Sequence, residues 1–231
     1  MFDIELGAGR WRLLADHAMF ELQQRLLVVA DVHLGKAAAY RARGVPLSLS
    51  VQQGSTETNL ARLSALIDAL APRQLAFLGD LVHARESLHP ATMERVGQWR
   101  DKHAGLDMLL VEGNHDAAAG GLPPALGLHV VEEPWPVAGV WLAHHPQWRD
   151  GGHVLAGHLH PVLRVSGRGD DSARLPCFWT RRRSAMVAQL TVLPAFGEFT
   201  GGAPVQREAG DRVIAIAADR LFEIPAAPIA A

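Results

Sequence analysis

The chain carries a single cysteine, Cys177, in 231 residues. No internal disulfide can form, so the scaffold must be held by its core, and a reducing compartment, the cytoplasm, is expected. Long apolar runs are missing too: none approaches the ~18 residues needed to cross a bilayer, so no membrane span is expected. The first residues, MFDIELGAGRW, hold no basic segment followed by an apolar one, so no signal peptide is read there. An excess of charge of one sign is also lacking. Lys and Arg number 22 against 24 Asp and Glu, a net charge of -2 with a pI near 6.6. That excludes the chain-wide basic field that drives non-specific nucleic-acid binding, though not a local basic patch. What is there is a globular composition, 48% hydrophobic and 20% charged, in a chain long enough for one large core. One domain over 1–224 is expected, with 225–231 (PAAPIAA) a frayed tail. Histidine is the outlier: 12 copies, most of them beside Asp, Asn, Gly or another His.

The apolar pattern divides the chain in two. Residues 10–14 and 18–22 read as short strands, and 25–30 (RLLVVA) as a strand buried on both faces. Residues 37–50 are polar and read as a loop with a single helical turn. Ser50-Val51-Gln52-Gln53 has capping-box form. Leu60, Leu63, Leu66, Ile67 and Leu70 then mark one face of a helix that ends before Pro72. Residues 74–78 and 106–111 read as strands, with a helix over 90–103 between them. Strand and helix thus alternate three times, and polar residues follow each strand's C-terminal end, where an open α/β sheet binds ligands. Past Gly120 short strands dominate, at 128–131, 140–143, 154–156, 162–165, 185–193 and 212–217. Turn-rich stretches at 167–172, 181–184 and 201–204 separate them, so a second, more antiparallel sheet is expected.

Five polar blocks stand at strand ends: Asp31-x-His33, Gly79-Asp80, Gly113-Asn114-His115-Asp116, His144-His145 and Gly157-His158-x-His160. In an extended chain residues i and i+2 point to one side, so Asp31 with His33, and His158 with His160, can reach one site. Gly113 lets the backbone turn where a side chain would obstruct it. Asn114 offers a neutral oxygen, His115 a proton donor or a further ligand, and Asp116 a carboxylate to orient that histidine. About seven donors are too many for one ion of four to six ligands, so two ions sharing a carboxylate fit better.

In this order and spacing, over residues 25–161, the blocks resemble the calcineurin-like metallophosphoesterase superfamily. The resemblance implies an α/β fold, a four-layer αββα sandwich with two mixed β-sheets, around a two-metal centre. It implies Asp31, His33, Asp80 and His160 around the first ion, Asp80 bridging, and Asn114, His144 and His158 completing the second. His144 is preferred to His145 because the superfamily form His-x-Pro sets the ligand two before Pro146. His115 would donate a proton to the phosphoryl or leaving oxygen, with Asp116 orienting it. Two ions about 3.5–4 Å apart would acidify a bridging water and neutralise charge on the phosphoryl oxygens, while His115 acts as general acid. The mixed nitrogen and oxygen donors favour Mn²⁺, Fe or Zn²⁺ over Mg²⁺ or Ca²⁺.

A finer resemblance is to the bacterial DNA-ligase-associated metallophosphoesterases, DNA damage response endonucleases. It rests on residues 30–37 (ADVHLGKA), 41–44 (RARG), 79–84 (GDLVHA), 144–146 (HHP), 157–161 (GHLHP), 176–178 (PCF) and 193–202 (LPAFGEFTGG). It implies a phosphodiesterase acting on nucleic acid in DNA repair, in functional association with a DNA ligase and a helicase. His83-Ala84-Arg85 stands where serine/threonine phosphatases of the superfamily carry Asp-Arg-Gly, which argues against that branch.

Lys36, Arg41 and Arg43 follow the first block and read as a phosphate clamp, the plainer alternative being a solvated helix face. His83 and His145 admit two readings, a substrate contact or a buried hydrogen-bonded histidine. His17, His89, His103, His129 and His153 lie outside the blocks and read as surface or structural. Arg181-Arg182-Arg183 reads as a solvated hairpin turn, although with Arg164, Arg168 and Arg174 it can form a strip that tracks a nucleic-acid backbone. Trp148, Phe178 and Trp179 are either base-stacking surfaces or core. The glycine-rich 196–202 segment reads as a loop returning to the metal rim, and Cys177 as an inert small residue. A small-molecule phosphomonoesterase or cyclic-nucleotide phosphodiesterase is the competing function, and a metal-poor protein-binding scaffold the third.

Overall fold

Burial alternates along the first two strands, β1 (Phe2–Leu6) and β2 (Gly9–Leu14), and is complete along β3 (Ala18–Glu21) and β4 (Leu26–Val29). The pattern tracks depth, because a strand covered on both faces has no solvated side to alternate with. In this computed structural model residues 2–47, 49–167, 171–183, 188–198 and 200–225 are described. The capping-box side chains at 50–53, Arg168, Phe199 and most of the expected tail therefore lie outside the described residues.

β1 to β4 run antiparallel, and β4 is joined in parallel by β5 (Gln74–Leu78), β6 (Asp107–Val111) and β7 (His129–Val131), giving a seven-stranded sheet in sequence order. Parallel neighbours need crossovers. These are α1 (Lys36–Ala42) with α2 (Leu49–Leu70), then α3 (Pro90–Lys102), then α4 (Asn114–Ala119). α3 begins with Pro90 in its first turn, where a missing N–H does no harm, and ends among Arg100 and Lys102, which suit the helix's negative end. Leu60, Leu63 and Leu66 of α2 and Val96 of α3 pack on Leu27, Val29, Leu75, Phe77 and Leu110 of the sheet. Each such side chain withdrawn from water contributes about 1.5–3 kcal/mol.

The second sheet has nine strands: β8 (Trp135–Val137), β9 (Val140–Ala143), β10 (His153–Ala156), β11 (Pro161–Ser166), β12 (Ser172–Arg183), β13 (Ala188–Val192), β14 (Ala203–Pro204), β15 (Arg212–Ala217) and β16 (Arg220–Ile224). It is mixed, with β9, β10 and β13 parallel and β12 antiparallel to β11, β13 and β15. Its inner face meets the first sheet in one core, where Trp11, Met19, Leu78 and Leu109 face Leu142, Leu155, Phe178 and Ile214. The fold is α/β with two mixed sheets, as expected. Among the described residues every α-helix precedes Gly120. The outer face of the second sheet, with Cys177, Trp179, Leu190 and Val213, is packed by Trp148 and Val205 from connecting segments.

Two other expectations are corrected. Residues 37–50 are not mainly loop, because the four alanines of α1 carry the highest helix propensity and outweigh the polar residues around them. Arg181, Arg182 and Arg183 are not a turn; they pair with Leu190, Gln189 and Ala188 at the end of β12. That strand outruns its apolar stretch because it changes partners, pairing β11 over 172–176 and then β13 and β15 over 177–183.

Candidate metal centre

All five blocks lie at the C-terminal ends of parallel strands. Asp31 and His33 follow β4, Asp80 follows β5, Asn114 follows β6, His144 follows β9, and His158 and His160 follow β10. The two sheets face each other, so both sets of strand ends open on one rim. The backbone there is not extended, contrary to the expectation for the two paired blocks. Asp31 (φ 54°), His33 (φ 49°), Asp80 (φ 50°), His158 (φ 69°) and His160 (φ 47°) are all left-handed. Non-glycine residues hold that conformation only where the surroundings over-determine it. Gly79 (φ +74°) is left-handed as well, and a Cβ there would collide with the ring of His144. Gly113 is extended (φ -95°), so its service is close approach rather than a special turn: a Cβ would strike the amide and carboxylate of Asp80.

The side chains fall into two sets that meet at Asp80. In one, His144 is fully buried and donates Nδ1–H to the Leu78 carbonyl at 3.0 Å, which leaves Nε2 a lone pair. That lone pair faces Asn114 Oδ1 at 2.9 Å, His158 Nδ1 at 3.1 Å and Asp80 Oδ1 at 3.5 Å. In the other, His160 donates Nδ1–H to the Gly201 carbonyl at 2.9 Å, and its Nε2 faces Asp31 Oδ1 at 3.3 Å and His33 Nε2 at 3.4 Å. His33 Nε2 lies 3.9 Å from Asp80 Oδ2. Asp31, fully buried, also accepts the His158 N–H at 2.9 Å. Electron-rich atoms converge on two points with few protons between them, and the outer ring nitrogens of His144 and His160 are turned to carbonyls, as in metal-bound histidine. Among the described residues, Asp31 with His33 and His160, and Asp31 with Asp80 and His144, bring nitrogen and oxygen donors close enough to hold a divalent cation. Burial lifts the Asp80 carboxyl above its usual range and holds His33 and His158 below the usual imidazole value. Burial also pulls on His160, but the Asp31 carboxylate outweighs it and carries that imidazole upward.

His115 stands over the meeting point. Its backbone N–H donates to Asp80 Oδ1 at 2.9 Å, and its ring Nδ1 lies 2.5 Å from the His83 carbonyl. Its Nε2 is 4.0 Å from Asp80 Oδ2, in a side chain 37% exposed. The expectation that Asp116 orients His115 is corrected. Asp116 is fully buried, and its oxygens accept the N–H groups of Val82 at 3.0 Å and Gly113 at 3.1 Å. The carboxylate ties the chain after β5 to the start of α4, and burial pushes its pKa up to about 6. The orienting group for His115 is the backbone of His83, whose ring stacks on it at 4.9 Å. His83 Nδ1 also lies 3.3 Å from His33 Nδ1, within hydrogen-bond reach, and burial lowers the His83 pKa to about 4.

His144 belongs to the second set, while His145 turns to Glu133 Oε1 at 2.7 Å with its ring 4.6 Å from that of His158. Glu133 itself went unread in the sequence. It accepts the N–H groups of His144 at 2.6 Å and His145 at 2.8 Å, and no motif marks it. The 196–202 loop does return to the rim: Phe196 and Gly197 donate to the carbonyls of Ala30 and Asp31, and Gly201 accepts from His160. The expected clamp divides. Lys36 is buried near Asp80, its pKa lowered by burial, and Arg43 is held by both oxygens of Glu86 at 3.2 and 3.1 Å. Arg41 is exposed further along α1. Phe178 and Trp179 are core, Trp179 donating to Asp211 at 2.9 Å, and Trp148 lies under Arg183 at 4.8 Å. His17, His103 and His153 bond to Ala195, Ser64 and Thr191 and are structural.

The calcineurin-like phosphoesterase family model matches residues 24–189, which include every block above. No curated relative matches the chain. Among solved structures, the nuclease MPE of Pseudomonas putida is similar at 40% identity and a TM-score of 0.80, covering 96% of this chain and 99% of its own. YfcE, a phosphoesterase from E. coli, is 17% identical with a TM-score of 0.39, covering 85% of this chain and 90% of its own. No helix among the described residues is long and apolar enough to cross a membrane. With the family model spanning more than two thirds of the sequence and a relative at this identity along nearly all of it, the chain belongs to the calcineurin-like phosphoesterase family.

Proposed function

We propose that this phosphoester hydrolase is a two-metal phosphodiesterase that cuts nucleic acid. The observation that carries the reading is Asp80: one oxygen faces His144 at 3.5 Å and the other faces His33 at 3.9 Å, the disposition of a bridging carboxylate. On this reading Asp31, His33, Asp80 and His160 hold one cation, and Asp80, Asn114, His144 and His158 the other. Bound there, two divalent cations, Mn²⁺ first among them, would supply Lewis acidity to the phosphoryl oxygens and lower the pKa of a water. The remaining work belongs to the chain. The His83 carbonyl holds a proton on His115 Nδ1, so the outward Nε2 is the atom that carries a second proton and delivers it to the departing oxygen. Lys36 adds positive charge beside Asp80. The Pseudomonas putida relative is named a nuclease, which supports a nucleic-acid substrate here. A place in DNA repair beside a ligase and a helicase, and in the cytoplasm, completes the proposal; the lone buried thiol of Cys177 suits a reducing compartment.

The test is hydrolysis of bis(p-nitrophenyl) phosphate and of DNA oligonucleotides across Mn²⁺, Fe²⁺, Zn²⁺ and Mg²⁺. Asp80→Ala and Asn114→Ala are expected to lose bound metal and activity together. His115→Ala should keep its metal and lose about 10²–10⁴-fold in rate. Full activity in Asp80→Ala, or no diester hydrolysis by the parent protein with any metal, would sink the reading.

A further inference from the structure

Arg41 lines an open groove of about 780 Å³ between α1, the 3₁₀ turn at Arg85–Leu88 and α3. Arg85, Arg95 and the first turn of α3 at His89, Ala91 and Thr92 line it too. Three guanidinium groups and the positive end of a 13-residue helix therefore face one space. The acidic residues nearby do not cancel them. Glu86 is engaged by Arg43 through both oxygens. Arg95 meets Glu57 at 2.7 Å, but both side chains are about half exposed, a pairing that solvent makes weak and exchangeable. Arg41 and Arg85 make no ion pair among the described residues.

The groove starts beside the metal centre. Arg85 is two residues past His83, at most about 7 Å along the chain. Arg41 is eight residues past His33, and five past Lys36, which is about 7.5 Å along α1. A chain of net charge -2 has no overall field with which to hold a polyanion, so any grip must be local. On the rival basic strip of the second sheet three arginines are turned back to the protein: Arg174 donates to Gly202, Arg181 reaches the buried Asp211 at 3.9 Å, and Arg183 covers Trp148. We infer that the Arg41–Arg85–Arg95 groove binds the phosphodiester backbone of nucleic acid beyond the cut site. The inference rests on the nucleic-acid reading above and extends it to a second binding surface.

Arg41→Ala, Arg85→Ala and the double variant test it, with Mn²⁺-loaded protein. The substrates are a long DNA oligonucleotide, single-stranded and as duplex, and bis(p-nitrophenyl) phosphate, which is too small to reach the groove. KM for the oligonucleotide should rise several-fold with kcat unchanged, and turnover of the small diester should stay at the parent level. The slope of log affinity against log salt should fall by about 0.7 per arginine removed for a single strand and about 0.9 for a duplex, and Arg85→Lys should restore most of it. An unchanged KM and salt slope would overturn the groove. So would a parallel fall on the small diester, which would make the arginines supports of the metal centre. A parent protein that hydrolyses the small diester but neither form of DNA overturns the nucleic-acid reading itself, and the groove with it.

Discussion

Two buried backbone N–H groups, those of Val82 and Gly113, depend on the carboxylate of Asp116. Each left unpaired costs about 1–3 kcal/mol, so Asp116→Ala should lose roughly 2–6 kcal/mol in urea unfolding, and Asp116→Asn about half as much. If Asp116→Asn instead kept its stability and slowed the rate a hundredfold, the orienting role would be restored. The sequence makes that role look natural because His115 and Asp116 are adjacent, whereas the true partner of His115 is a carbonyl 32 residues away, which no local pattern encodes. The metal-type donors were legible for the opposite reason, since each block is short and complete in itself. A second residue shows what burial alone does. His153, 3% exposed, has its pKa lowered from 6.5 to about 4 by burial. Between those values the unfolded chain holds a proton that the folded chain refuses. Stability is therefore full above pH 6.5, falls as pH drops through the window, and levels off below about 4. The shift corresponds to a loss of about 3 kcal/mol. His153→Gln should flatten that part of the profile, as read from urea midpoints between pH 4 and 7.

At the scale of elements, the strand ends are where the fold stores strain. Five left-handed residues at the rim carry about 1–3 kcal/mol each against their preferred conformations. Gly79 relieves that strain and makes room for His144, so Gly79→Ala acts on one metal position rather than on the sheet. Titration with Mn²⁺ should fall from two ions per chain towards one, with the position of Asn114, His144 and His158 lost first; two tight ions in the variant would separate His144 from the metals. Regular elements such as β5, β9 and β15 were readable to the residue because apolar runs bounded by turns define them. β12 was not, because Pro176 and the run of arginines suit its change of partners rather than a continuous apolar face. The left-handed backbone at Asp31, His33, Asp80, His158 and His160 was also invisible, since Asp-x-His on paper fits an extended strand equally well.

Across the whole molecule, two sheets converge on a centre that the folded chain alone does not neutralise. The two-sheet α/β architecture could be read from the strand pattern, but not that loop segments carrying Trp148 and Val205 pack on the second sheet. Asp31 and Asp80 are buried at 0% and 2% exposure among imidazole lone pairs, so stability and metal binding must be linked. A ligand that binds only the folded state adds about 2.7 kcal/mol at a hundred times its Kd. Two such positions, at about 2–4 °C per kcal/mol for a chain of this size, should raise Tm by roughly 10–20 °C on adding Mn²⁺ to chelator-treated protein. Asp80→Asn separates this from any general salt effect. It removes a buried charge that burial already disfavours, so the metal-free variant should melt above the metal-free parent. It also removes the carboxylate shared by both positions, so most of the Mn²⁺-induced rise should vanish. A variant that still gains the full rise would mean that the two sets of donors do not share Asp80, and the bridging geometry would have to be abandoned.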